Sequence, residues 1–125
     1  MNTQIARTNM LKQQLRTNGV LDEALLSIID TTPRELFVPE GYQQMAYADM
    51  NIPLPHGQVM LSPTVEAKIL QKLAIQPHER VLEVGTGTGY FTALLAQQAH
   101  HVTSIDIFPD FIENATHNLA RLKLV

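Results

Sequence analysis

Glycine stands at every second position in Gly85–Thr86–Gly87–Thr88–Gly89, and the residues on either side of that stretch narrow the folds open to the chain. Arg80–Val81–Leu82–Glu83–Val84 precedes it as a short apolar run, as expected of a strand covered on both faces. Phe91, Leu94 and Leu95 follow at helical spacing. Glycine tolerates positive φ and lets a ligand approach the backbone closely. Strand, glycine turn and helix together make half of a nucleotide-binding unit, so an α/β fold with a doubly wound sheet is expected.

The residues around the turn discriminate between ligands. A dinucleotide fingerprint needs G-x-G-x-x-G, but Tyr90 holds the third glycine position. The phosphate-loop pattern is absent, because Gly89 is followed by Tyr90–Phe91. Glu83 lies two residues before the first glycine, where its charge is unwelcome beside a pyrophosphate and favourable beside a cation. S-adenosylmethionine carries a sulfonium and an ammonium group and no phosphate. Asp106 follows Gly89 by 17 residues, at the expected carboxyl end of a second strand, the end that faces the ligand crevice. A carboxylate there can accept hydrogen bonds from both ribose hydroxyls, each worth about 1.5–3 kcal/mol. Its bland alternative is a turn aspartate capping Phe108–Pro109.

Length and composition exclude other classes. A chain of 125 residues is one domain at most, and 45% apolar residues suffice for a core. The net charge of −3 without a basic run argues against a nucleic-acid partner. The absence of cysteine excludes a disulfide scaffold, a thiolate metal site and a cysteine nucleophile, and no metal site is expected. Met1 to Gln14 has no signal-peptide core, and no apolar run approaches the ~20 residues of a membrane span. A soluble cytoplasmic protein without a membrane partner is the expectation.

Along the chain, Ile5, Met10, Leu11 and Leu15 predict a loosely amphipathic helix over 3–17, stopped by Asn18–Gly19. Asp22 caps a second helix with Leu25, Leu26, Ile28 and Ile29 on its apolar face. Thr32–Pro33–Arg34–Glu35 reads as a capping box opening a third, ended by Pro39. Residues 41–61 read as an irregular, proline-rich loop suited to ligand contacts, with His56 its one group titrating near neutral pH. A solvated loop histidine is the simpler reading of His56. Ser62–Pro63 starts a further helix whose buried face is expected to be Val65, Ile69, Leu70 and Leu73. After the turn come a helix over 90–98, a strand over 101–107 and a helix opened by Pro109 with Ile112, Ala115, Leu119 and Leu122 on one face. The expected division is a helical segment with a substrate-side loop at 1–60, then half of a Rossmann-like domain at 61–125.

Glu83–Val84–Gly85–Thr86–Gly87–Thr88–Gly89 is similar to the first motif of class I S-adenosylmethionine-dependent methyltransferases. The whole chain resembles the N-terminal part of the protein-L-isoaspartate O-methyltransferase family. The matching stretches are Gln14–Leu15–Arg16, Val20–Leu21–Asp22, Pro33–Arg34–Glu35–Leu36–Phe37–Val38–Pro39, Ala46–Tyr47–Ala48–Asp49 and Pro53–Leu54–Pro55–His56–Gly57–Gln58, besides the turn itself. The resemblance implies methyl transfer from S-adenosylmethionine to a carboxylate, in the family that of isoaspartyl residues in damaged proteins. The partner is thus a protein or peptide with a free carboxylate. Glu83 with Gly85, Thr86, Gly87, Thr88 and Gly89 would hold the methionine part of the cofactor, Asp106 the ribose, and Ile107 would pack on adenine. The loop Pro53–Ser62, with His56, Gln58 and Leu61, would face the methyl group and the substrate. A carboxylate nucleophile is already ionised at neutral pH, so no general base is required.

Two departures qualify the resemblance. The family's active-site serine falls on Leu61, and Ser62 stands where glutamine is usual. Leucine cannot donate a hydrogen bond, which leaves Ser62 as the candidate catalytic serine, against its alternative as helix N-cap. A related methyltransferase on another substrate, or a non-catalytic cofactor-binding fragment, are the rival readings. Second, the family's sheet has seven strands and two are legible here, so a longer protein or a partner chain, such as a second copy, is expected to complete it.

Overall fold

In the computed structural model, which describes residues 2–124, the side-chain oxygen of Asn2 accepts from the backbone N–H of Gln4 and Ile5 and so caps α1 (Thr3–Asn9). The helix then widens into a π-helical stretch, Met10–Leu15. Met10 and Leu15 are both buried although five residues apart. At about 100° per residue an α-helix would set them roughly 140° apart, whereas the wider turn stacks both on one side. Gly19, at φ 91°, reverses the chain, and Val20 N–H donates to Leu15 O at 2.9 Å.

The chain forms two compact units, the first ending at Ala74 and the second beginning at Ile75. In the first unit Asp22 caps α2 (Glu23–Thr31) by accepting from Leu25 N–H, and Leu25, Leu26 and Ile29 are buried as the spacing predicts. The expected third helix is only one 3-10 turn, Arg34–Leu36. The capping box is not assembled because both its side chains bond elsewhere. Thr32 Oγ1 donates back to Ile28 O at 2.7 Å, and Glu35 accepts from the Tyr47 hydroxyl. Tyr47 also accepts from Arg34 N–H at 3.0 Å, and burial pushes its phenol up to about 12.

Within 41–61 the loop contains a short antiparallel hairpin, β1 (Ile52–Pro53) with β2 (Val59–Met60). α3 (Pro63–Leu73) follows, and its buried face corrects the sequence expectation. Ala67, Leu70 and the charged Glu66 lie inside, while Val65, Ile69 and Leu73 are exposed. The cause is Arg34, completely buried at 0% exposure, which pairs with Glu66 and turns that side of α3 inward. Gln71, at the edge of the same helix, ties it to the first helical layer. Its amide accepts from Leu21 and Asp22 N–H and donates to Gly19 O.

In the second unit β3 (Arg80–Val84) and β4 (His101–Ile105) pair in parallel with Glu83 opposite Ser104. α4 (Tyr90–Ala96) connects them and packs on β4, and α5 (Pro109–Arg121) packs on α4. Phe111, Ala115 and Leu119 are the buried residues of α5, with Ile112 and Leu122 only half-buried. This is the Rossmann-like α/β arrangement expected from the glycine turn. One expectation fails: β3 is not covered on both faces. Leu82 is 63% and Val84 76% exposed, and Ile105 on β4 is 47% exposed. Alternation puts these side chains on the face away from the half-buried Val81, Glu83, Val102 and Ser104.

Candidate functional site

The turn between β3 and α4 keeps its N–H groups to itself. Gly85 and Thr86 both donate to Ile105 O, at 2.8 and 3.2 Å, and Gly89 donates to Thr86 O at 3.0 Å. Gly87 N–H donates to the Asp106 carboxylate at 3.1 Å. Tyr90 N–H donates to Thr88 Oγ1 at 3.3 Å. A phosphate cradle needs such amides pointing at the ligand. Here they are internally bonded, and the charged groups beside the turn are two carboxylates, Glu83 and Asp106. Gly89 is the tightest point. It sits at φ 90°, and a Cβ there would lie 3.0 Å from Ala115 Cβ.

Asp106 ends β4 and divides its oxygens. Oδ2 accepts from Gly87 N–H and Oδ1 accepts from Phe108 N–H at 3.1 Å. It therefore acts as a turn aspartate and also braces the glycine turn. Each carboxylate oxygen has a second acceptor site, so the ribose assignment remains chemically open. Ile107 beside it is 86% exposed. Thr86 is buried and its hydroxyl points inward to Ser104.

Glu83 projects toward α4 and β4. Its Oε1 accepts from Ser104 Oγ at 2.6 Å and from the Thr92 hydroxyl. Burial raises its carboxyl above the usual glutamate range, Ser104 and Thr92 pull it down, and the nearby Asp106 charge raises it again. An acid whose folded value is raised binds its proton more tightly when folded. Stability is then full below the ordinary glutamate value and declines as pH rises through the folded one. Glu83→Gln removes that decline while keeping an acceptor oxygen. In melts across the acid-to-neutral range, the variant is expected to gain on the parent chain as pH rises. A constant difference at all pH values contradicts the assignment.

The substrate-side residues lie in the first unit. Pro55–Gly57 is a 3-10 turn closed by Leu54 N–H to Gln58 O at 2.9 Å. His56 adopts the left-handed conformation, φ 61°, ψ 26°, and His56, Gln58 and Leu61 are all exposed. Ser62 is buried, and its Oγ caps α3 by accepting from Val65 N–H at 3.4 Å. The backbone around it is held by three side chains. Arg34 Nη2 donates to Leu61 O at 2.8 Å, Ser62 N–H donates to Asn51 Oδ1 at 3.0 Å, and Thr64 N–H donates to Asp49 Oδ1 at 3.2 Å. The sequence reading named none of these anchors, nor Ser104 and Thr92. A polar Ser104 at an inward position of a strand was the available signal. Among the described residues no group of three His, Cys, Asp or Glu side chains could hold a metal ion. No helix among them is long and apolar enough to cross a membrane.

A parallel β–α–β unit with an acidic residue before its glycine turn and another after its second strand defines a Rossmann-like protein of the methyltransferase kind. The family model described as protein-L-isoaspartate(D-aspartate) O-methyltransferase matches residues 6–125. A protein-L-isoaspartate O-methyltransferase of Methanoculleus marisnigri is 42% identical over 115 residues, 92% of this chain and 52% of the relative. Those of Klebsiella pneumoniae and Aliivibrio fischeri are 39% and 40% identical, over 94% and 95% of this chain and 57% of each relative. A solved structure described as a protein-L-isoaspartate O-methyltransferase superposes with a TM-score of 0.78 at 25% identity, over 93% of this chain and 38% of that one. A proposed β-aspartate methyltransferase of Plasmodium falciparum, in complex with S-adenosyl-L-homocysteine, shares the fold with a TM-score of 0.79 at 22% identity, over 94% of this chain and 56% of its own. The chain belongs to the protein-L-isoaspartate O-methyltransferase family. It spans about half the length of the curated relatives it matches.

Proposed function

We propose that the chain carries the S-adenosylmethionine-binding half and the substrate-side loop of a protein carboxyl methyltransferase that acts on isoaspartyl residues. The observation that carries this reading is the internally bonded glycine turn flanked by Glu83 and Asp106, which suits a cationic, phosphate-free nucleoside. S-adenosylmethionine, when bound, supplies an electrophilic methyl group. Glu83 and the turn from Gly85 to Gly89, with Thr86, Gly87 and Thr88, take its methionine part, Asp106 its ribose and the exposed Ile107 its adenine. The chain's remaining task is to align an already ionised acceptor carboxylate and exclude water. His56, Gln58 and Leu61 meet the substrate. A cytoplasmic location goes with this reading. A C-terminal segment like that of the longer relatives, rather than a second copy, is the proposed cover of the bare sheet face.

One observation favours a second reading, methyl transfer to a different acceptor. Ser62 is buried as an N-cap and the peptide bonds around it are anchored, so a shift that turns its hydroxyl outward breaks bonds to Arg34 and Asn51. This lowers Ser62 as a catalytic residue and leaves Leu61 facing the acceptor. Calorimetric titration tests the cofactor. S-adenosylmethionine is expected to bind and NAD not to, and Asp106→Ala is expected to weaken the binding at least about tenfold, the loss of one charge-assisted bond. Tighter binding of NAD sinks the proposal. Transfer of labelled methyl to an isoaspartyl peptide, compared with its aspartyl twin, separates the two acceptor readings.

A further inference from the structure

We infer that Ser104 is a positioning residue for the glycine turn, acting through a directed chain of hydroxyls that ends on the Glu83 carboxylate. This deepens the cofactor reading and rests on it for its functional consequence.

The chain follows from counting hydrogens. Ser104 Oγ lies 2.6 Å from Glu83 Oε1 and 2.5 Å from Thr86 Oγ1. An ionised carboxylate only accepts, so the single Ser104 hydrogen goes to Glu83. Thr86 must then donate its own hydrogen to Ser104. The hydroxyl of Thr92, on α4, donates to the same Glu83 oxygen. One carboxylate thus connects β3, β4, α4 and the turn itself. Thr86 is the turn residue reached, and it is buried at 6% exposure. Its carbonyl accepts from Gly89 N–H, and its own N–H and that of Gly85 converge on Ile105 O. Fixing the Thr86 side chain therefore fixes the peptide planes on both sides of it.

The cluster borders a cavity of about 420 Å³ between β4, α4 and α5, whose walls include Thr86, Thr92 and Ser104. The titratable groups near Glu83 are Asp106 beyond β4, and His100 and His101 at the cavity's far end. α4 carries none, and the α5 residues on the cavity are Ile112, Ala115, Thr116 and Leu119. Ser104 and Thr92 are the donors that favour the ionised form of Glu83, against burial and Asp106.

The test uses the full chain with Ser104→Ala, Ser104→Thr and, as a second break in the cluster, Thr92→Val. With the Glu83 carboxyl carbon followed by NMR, the alanine variant is expected to titrate at higher pH than the parent. The amides of Gly85, Gly87 and Gly89 are expected to exchange about tenfold faster. S-adenosylmethionine is expected to bind about tenfold more weakly, with threonine restoring all three. A merely structural serine lowers the melting temperature without moving the Glu83 titration. An unmoved titration with unchanged turn exchange overturns the inference. If the parent chain binds no S-adenosylmethionine, the cofactor reading fails, while titration and exchange still decide the role of Ser104.

Discussion

Arg34→Met is expected to destabilise the chain by about 3–5 kcal/mol, the largest effect of any single substitution proposed for the first unit. Arg34 is fully buried and its guanidinium meets two acceptors, the Glu66 carboxylate and Leu61 O. Methionine fills similar space but leaves a carboxylate that is 4% exposed without its cation. The penalty is chiefly that uncompensated charge, so adding Glu66→Leu is expected to recover most of it. Leu61 O still lacks a donor in the double variant, so recovery is incomplete. Urea melts of the four chains measure this. A single variant within about 1 kcal/mol of the parent would show that the pair contributes little.

Gly89→Ala is expected to cost roughly 2–4 kcal/mol, by two separable routes. The residue sits at φ 90°, ψ −2°, strained for any side chain. Its new Cβ would also meet Ala115 Cβ at 3.0 Å and Cα at 3.2 Å. Ala115 has no rotamer to change, so α5 itself must move. Adding Ala115→Gly is expected to restore the steric part and leave the φ strain. Gly85→Ala is the control, since it has φ 102° and nothing within 4 Å of the added carbon. Equal losses for the Gly85 and Gly89 variants would remove the close contact from the explanation.

The second unit was largely legible because its signals are local. A glycine turn after an apolar run, and Pro109 at a helix start, depend on neighbours in sequence. The first unit was less so, for identifiable reasons. Thr32 and Glu35 have the right types for a capping box, but the Ile28 carbonyl and Tyr47 hydroxyl claim them. Hydrophobic spacing put Val65, Ile69 and Leu73 inside α3, while a buried ion pair from a residue 32 positions earlier chose the face that holds Glu66. The π-helical widening at Met10–Leu15 replaces the period of 3.6 on which the reading of 3–17 relied. At the site, Glu83 and Asp106 were found from their spacing to the glycines. Their hydroxyl partners were not, because Ser104 becomes a neighbour of Glu83 only through the register of the β3–β4 pair.

The bare face of that pair also governs how the chain behaves in solution. Leu82, Val84 and Ile105 form an apolar patch that the alternation of the strands cannot turn inward without burying Glu83 and Ser104 outside. A net charge of −3 supplies little electrostatic repulsion between molecules. Sulfate and other excluded salts strengthen apolar contact and drive such faces together, whereas low salt keeps what repulsion there is unscreened. Ionic conditions chosen to protect the glycine turn thus also set how long the chain stays dispersed.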